Sequence, residues 1–103
     1  MRSLNNSNPD KISCYVGFAV KSGKVVWGLD MLKKSKKPPC IILIDGAIGN
    51  NSVKEAEFYA NKHNVDVLFL PEGSLGAMLK RSNVKLIAVT DDNLAKAILK
   101  ISE

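Results

Sequence analysis

The sequence predicts a single-domain three-layer α/β/α sandwich of about four strands and five helices, and three observations carry it. Short apolar runs alternate with helical patterns along the chain. The central run, Cys40-Ile41-Ile42-Leu43-Ile44, is continuously apolar and largely β-branched, as a strand buried on both faces must be. The strands that alternate with helices in this way need helical cover on both sides of one sheet. With 103 residues, 46% of them hydrophobic and 24% charged, the chain suits one globular domain spanning 1–103.

The elements follow in order. Residues 1–8 are polar and read as a flexible N-terminal tail. Ser7 or Asn8 can cap a first helix with Pro9 in its first turn, and Ile12, Tyr15, Val16 and Ala19 recur at helical spacing before Gly23 stops it. Val25–Trp27 is a short strand, and a short helix runs from Gly28 to about Ser35, ahead of Pro38. After the 40–44 strand, "DGAIGNN" is a loop, and Ser52 with Glu55 reads as a capping box for a helix to about His63. Val65–Leu70 is a strand, Ser74–Arg81 a helix and Val84–Val89 the last strand. Thr90 or Asp91 caps a final helix whose Leu94, Ala95, Ile98 and Ile101 share one face.

Composition narrows the function. No apolar run reaches the roughly 18 residues of a membrane helix, and the polar start lacks the apolar stretch of a signal peptide, so a cytoplasmic protein without membrane contact is expected. Cys14 and Cys40 read as small buried hydrophobes, and the single His63 has no partner for a zinc site, so neither metal nor cofactor is expected. No nucleophile-plus-base pattern appears. "GAIGNN" joins a strand to a helix but lacks the Lys-Ser/Thr of a phosphate-binding Walker loop, and Asp91 and Asp92 read as helix-capping acids. The chain is therefore expected not to be an enzyme.

Charge points elsewhere. The net charge is +5, and the first 37 residues hold eight basic side chains against two acids. In "GKVVWGLDMLKKSKKPP" (23–39), Asp30, Lys33, Lys34 and Lys37 fall at i, i+3, i+4 and i+7, so they share a face. Two lysines in a last turn satisfy the helix dipole. Four of them, with Lys21 and Lys24 nearby, repel one another unless something anionic binds. Gly28 lets a backbone approach the first-turn N–H groups, and lysines along the same surface suit a nucleic-acid backbone.

The stretches "YVGFAVKSGKVVWG" (15–28), "CIILIDGAIGNNSVKEAEFYANKHNVDVLFL" (40–70), "LGAMLKR" (75–81) and "KLIAVTDDNLAKAIL" (85–99) follow one another as in the kink-turn RNA-binding ribosomal proteins. In their order and spacing the chain resembles the ribosomal L-seven-Ae and L-thirty-e superfamily, most of all its bacterial, ribosome-associated branch. The resemblance implies the same sandwich, and RNA binding at the helix start after the first strand. The family's motif is a glycine, a polar pair two and three places on, and a lysine six places on. It falls here on Gly28, Asp30, Met31 and Lys34. Archaeal and eukaryotic members carry Asn-Glu at the pair, meeting guanines of sheared G·A pairs. Asp30 accepts hydrogen bonds without donating them, and Met31 cannot replace a glutamate, whereas phosphate contact needs neither. The loop after "LGAML" usually covers a flipped-out nucleotide with a glycine and small apolar residues; this chain has Lys80, Arg81, Ser82 and Asn83.

The expectation is a non-catalytic protein that binds structured RNA, kink-turn-like or ribosomal, with ribosomal proteins as possible neighbours. Lys24, Gly28, Asp30, Met31, Lys33, Lys34, Lys37, Arg81 and Asn83 form the expected interface, Arg81 and Asn83 making a second contact across the groove. The alternative is a protein–protein interaction module of the same fold that has lost specific kink-turn recognition, suggested by Met31 beside Trp27 and Leu29.

Overall fold

A computed structural model describes residues 3–6, 9–81 and 83–102. The expected caps Ser7 and Asn8, and loop residue Ser82, lie outside them. The elements are β1 (Ser3–Asn5), α1 (Asp10–Lys21), β2 (Val25–Trp27), α2 (Gly28–Lys34), β3 (Ile41–Asp45), α3 (Asn50–His63), β4 (Asp66–Leu70), α4 (Ser74–Leu79), β5 (Leu86–Val89) and α5 (Asp92–Ser102). The strands form one mixed sheet in the order β1-β4-β3-β5-β2. β1, β4 and β3 pair in parallel, whereas β5 runs antiparallel to both β3 and β2.

All five residues of β3 are buried. The alternation of a strand sends its side chains into two cores. Ile41 and Leu43 meet α1, α4 and α5 on one face, together with their β5 register partners Val89 and Ile87. Ile42 and Ile44 join α2 and α3 on the other, with register partners Ala88 and Leu86. The three-layer sandwich follows directly. Ala56 and Ala60 bring α3 close to the sheet, and Leu32 does the same work for α2.

Four differences from the sequence reading have identifiable causes. A fifth strand, β1, occupies part of the expected tail; its single apolar residue, Leu4, is half-buried against the core beside β4. α3 begins at Asn50 with Gly49 as its cap, so Ser52 lies inside the helix and the Ser52–Glu55 capping box does not form. α2 stops at Lys34, where Ser35 turns to extended backbone and its hydroxyl donates to the Lys37 carbonyl at 2.9 Å. Lys37 therefore leaves the helix and does not share a face with Asp30, Lys33 and Lys34. Finally, Cys14 is exposed and Cys40 half-buried, because Cys14 falls off the Ile12, Val16, Ala19 stripe. Both thiols are free.

Helix ends match their chemistry. Asp91 accepts from the Leu94 N–H at 3.0 Å, capping α5. α1 ends in a Schellman turn at Gly23, whose φ is +69°. α4 ends in the same way, but Lys80 stands in the left-handed position with φ +57°. A side chain there costs about 1 kcal/mol that glycine avoids. Lys80→Gly is accordingly expected to raise stability by about 0.5 kcal/mol once its greater freedom in the unfolded chain is counted, read as a rise in the thermal midpoint.

Candidate nucleic-acid interface

Because β2, β3 and β4 run in one direction and β5 opposes them, four chain segments gather at one end of the sheet. They are the β2–α2 junction, the loop after β3, the loop after β4 and the approach to β5. Asp45 ties two of them together. Its carboxylate is 1% exposed and accepts the N–H groups of Ala47 at 2.8 Å, Gly73 at 3.0 Å and Leu75 at 3.0 Å. Burial alone would raise its pKa, but these three backbone donors and the charge of Lys85 together hold it below the ordinary carboxylate range. Gly46 allows the close approach: a Cβ there would lie 3.0 Å from the Glu72 nitrogen and 3.2 Å from the Leu70 carbonyl.

A cleft of about 420 Å³ opens beside this tie. Trp27, Gly28 and Leu29 form one wall, Ile48 and Gly49 another, and Asn83–Leu86 the third. Gly28 sits at φ +83°, a conformation that turns the chain from β2 straight into α2. Gly28 and Asn83, 55 residues apart in the sequence, thus face the same space.

Trp27 joins this cleft to its surroundings. The Arg81 guanidinium lies 4.5 Å from the Trp27 ring centroid, so the side chain expected to stack on a base is seated on the protein's own indole. On the other side Trp27, Val25, Val26, Met31 and Lys34 line a depression of about 280 Å³, where Met31 is 55% exposed. Lys33 takes a different direction: its ammonium pairs with Glu55 of α3 at 3.3 Å, away from the cleft lining. Asp30 is exposed in the first turn of α2, Lys24 precedes β2, and Lys37 lies in the loop beyond α2. The sequence-predicted residues therefore divide. Gly28 and Asn83 share the cleft, Arg81 and Lys34 flank it through Trp27, and Lys33 and Lys37 stand apart.

Sequence reasoning missed two further cations. Lys80 and Lys85 join Arg81 around a depression of about 470 Å³ floored by Gly73 and Gly76. The signal was available in the paired glycines followed by Lys80-Arg81. Among the described residues no group of three or more His, Cys, Asp or Glu could hold a metal ion, and no helix is long and apolar enough to cross a membrane.

No protein-family model matches the chain, and no curated protein does. Among solved structures, that of a protein with unknown function from Bacillus halodurans C matches with a TM-score of 0.80. It is 16% identical and the match covers 90% of this chain and 98% of the other. At that identity the likeness concerns the fold.

Proposed function

We propose that this protein is a non-catalytic, cytoplasmic binder of structured RNA, kink-turn-like or ribosomal, that grips its target at the β2–α2 end of the sheet. The observation that carries the reading is the meeting of Gly28 and Asn83 across one cleft, with Arg81, Lys34, Lys80 and Lys85 around it. The resemblance to kink-turn proteins placed its expected contacts on these same two segments. Lysine and arginine around the opening supply phosphate contacts, and the apolar walls of Trp27, Leu29 and Ile48 suit an unstacked base. Asp30 and Met31 shift the balance from base-edge recognition toward backbone contact.

The test is titration of a kink-turn RNA, the same RNA without its G·A pairs, and a plain duplex, each over a range of salt. Binding of the kink-turn is expected, with a log–log salt slope near −0.9 per phosphate neutralised. Lys34→Ala with Arg81→Ala is expected to weaken it about tenfold and flatten the slope by about 2. An unchanged affinity and slope in that variant would remove these residues from the interface.

A second reading has one observation in its favour. Met31 lies exposed over Val25, Val26 and Trp27 at the sheet edge, a small apolar patch suited to a protein partner such as a ribosomal protein. Failure of all three RNAs to bind, with a partner that survives nuclease treatment and is lost in Met31→Glu, would establish that reading instead.

A further inference from the structure

Another open depression lies apart from the cleft. It lies on the outer face of α3, measures about 550 Å³ and is lined by Lys33, Lys54 and Lys62, the carboxylate of Glu55 and the rings of Phe58, Tyr59 and His63. Phe58 is 73% exposed there. α3 does not need it for packing, since Ala56 and Ala60 supply the buried side. Lys54, Phe58 and Lys62 recur every four residues, which sets an aromatic ring between two ammonium groups along one helix face. Beside them the Tyr59 and His63 rings pair with centroids 4.4 Å apart, and Glu55 is engaged by Lys33 at 3.3 Å.

We propose that this face is a binding site for a single-stranded RNA segment, with a base stacked on Phe58 and phosphates held by Lys54 and Lys62. Alternation of flat rings and cations is the pattern that fits successive bases and phosphates. A protein partner fits less well, because lysine is depleted in the cores of protein interfaces and the apolar surface here centres on one phenyl ring. The same helix reaches the cleft: Ser52 lines it, and Phe58 lies six residues on, about 9 Å of helical rise and about 120° around the helix away. RNA seated in the cleft can therefore send an unpaired tail around α3 to Phe58. The inference takes its ligand class from the RNA-binding reading but uses a separate set of residues.

The experiment uses the full chain and a hexa-adenylate RNA carrying one 2-aminopurine, followed by anisotropy and by quenching of the 2-aminopurine. Wild type is expected to bind and quench. Phe58→Ala is expected to weaken binding about tenfold and abolish quenching, and Phe58→Trp to retain both. Lys54→Ala with Lys62→Ala should lower the salt slope by about 2. In a chain that also carries Lys34→Ala and Arg81→Ala, Phe58→Ala should still abolish the quenching that remains. Equal binding and quenching by wild type and Phe58→Ala overturns the proposal. Binding at Phe58 of an acidic Glu/Phe peptide in place of the hexamer overturns it in favour of a protein partner. If the kink-turn RNA fails to bind while the hexamer binds through Phe58, the cleft reading falls and the α3 site stands. The opposite pattern removes only the α3 site.

Discussion

Asp45→Asn is expected to destabilise the protein by about 3 kcal/mol, read from the denaturant midpoint at neutral pH. The carboxylate uses both oxygens as acceptors: Oδ1 takes Ala47 and Gly73, and Oδ2 takes Leu75. An asparagine keeps one acceptor oxygen. Its amide must then point N–H groups at a backbone N–H in a site that is 1% exposed, leaving donors unsatisfied. The effect has a definite pH signature. The pKa is lowered in the folded state, so the carboxylate contributes its stability above its unfolded value of about 3.9 and loses it as pH falls through the folded pKa. The difference between wild type and Asp45→Asn should be full near neutrality and shrink on acidification below about pH 4. A constant difference down to pH 2 would show that the variant acts through packing instead. The same tie positions both the Ala47–Gly49 wall of the cleft and Gly73 beside Arg81, so the proposed RNA binding should weaken with it.

Leu43→Ala and Ile42→Ala are each expected to cost about 3 kcal/mol, since both side chains are fully buried in the central strand. They are neighbours in sequence but open cavities in different cores. Leu43 packs in the cluster with Leu68, Leu75 and Ile87, and Ile42 in the cluster with Leu32, Ala56 and Ala60. Only the second cluster holds α2 against the sheet. Amide exchange in α2 should therefore quicken more in Ile42→Ala than in Leu43→Ala, and the proposed RNA binding should weaken more, at similar global loss. Equal effects of the two on α2 would mean that the layers do not loosen separately.

The sheet's centre was legible because its physics is local. A run such as Ile41–Ile44 has no solvent face to hide, and the stripes of α1 and α5 repeat at helical spacing. β1 was not legible, because Ser3-Leu4-Asn5 holds one apolar residue and becomes a strand only through its partner β4. The start of α3 escaped for a similar reason. Asp45 accepts the Ala47 N–H with its side chain and the Ile48 N–H with its carbonyl, and this turn brings Gly49 to the cap, ahead of Ser52. Within the site, Gly28 and Arg81 stood out by residue type, yet the Arg81–Trp27 contact depends on how α4 and β2 meet across β5. Lys33 and Lys34 look equivalent in sequence. They point about 100° apart on the helix, and only the placement of α3 decides that the first belongs to Glu55, while the second lines the depression beside Trp27 and Met31.

The small strand β1 has a consequence for the order in which the sheet assembles. The Asn6 side chain donates to the Ser102 hydroxyl at 2.9 Å, joining residues 96 positions apart. The Asn6 N–H also reaches the Phe69 carbonyl at 2.9 Å, extending the β1–β4 ladder. Contacts of such long separation close after the local ones, because the entropy of the intervening loop must be lost first. Until they close, the outer edge of β4 presents a row of unpaired N–H and C=O groups, open to β1 of another copy as readily as to its own. β1 thus covers the outer edge of β4 and is seated after the local contacts have formed.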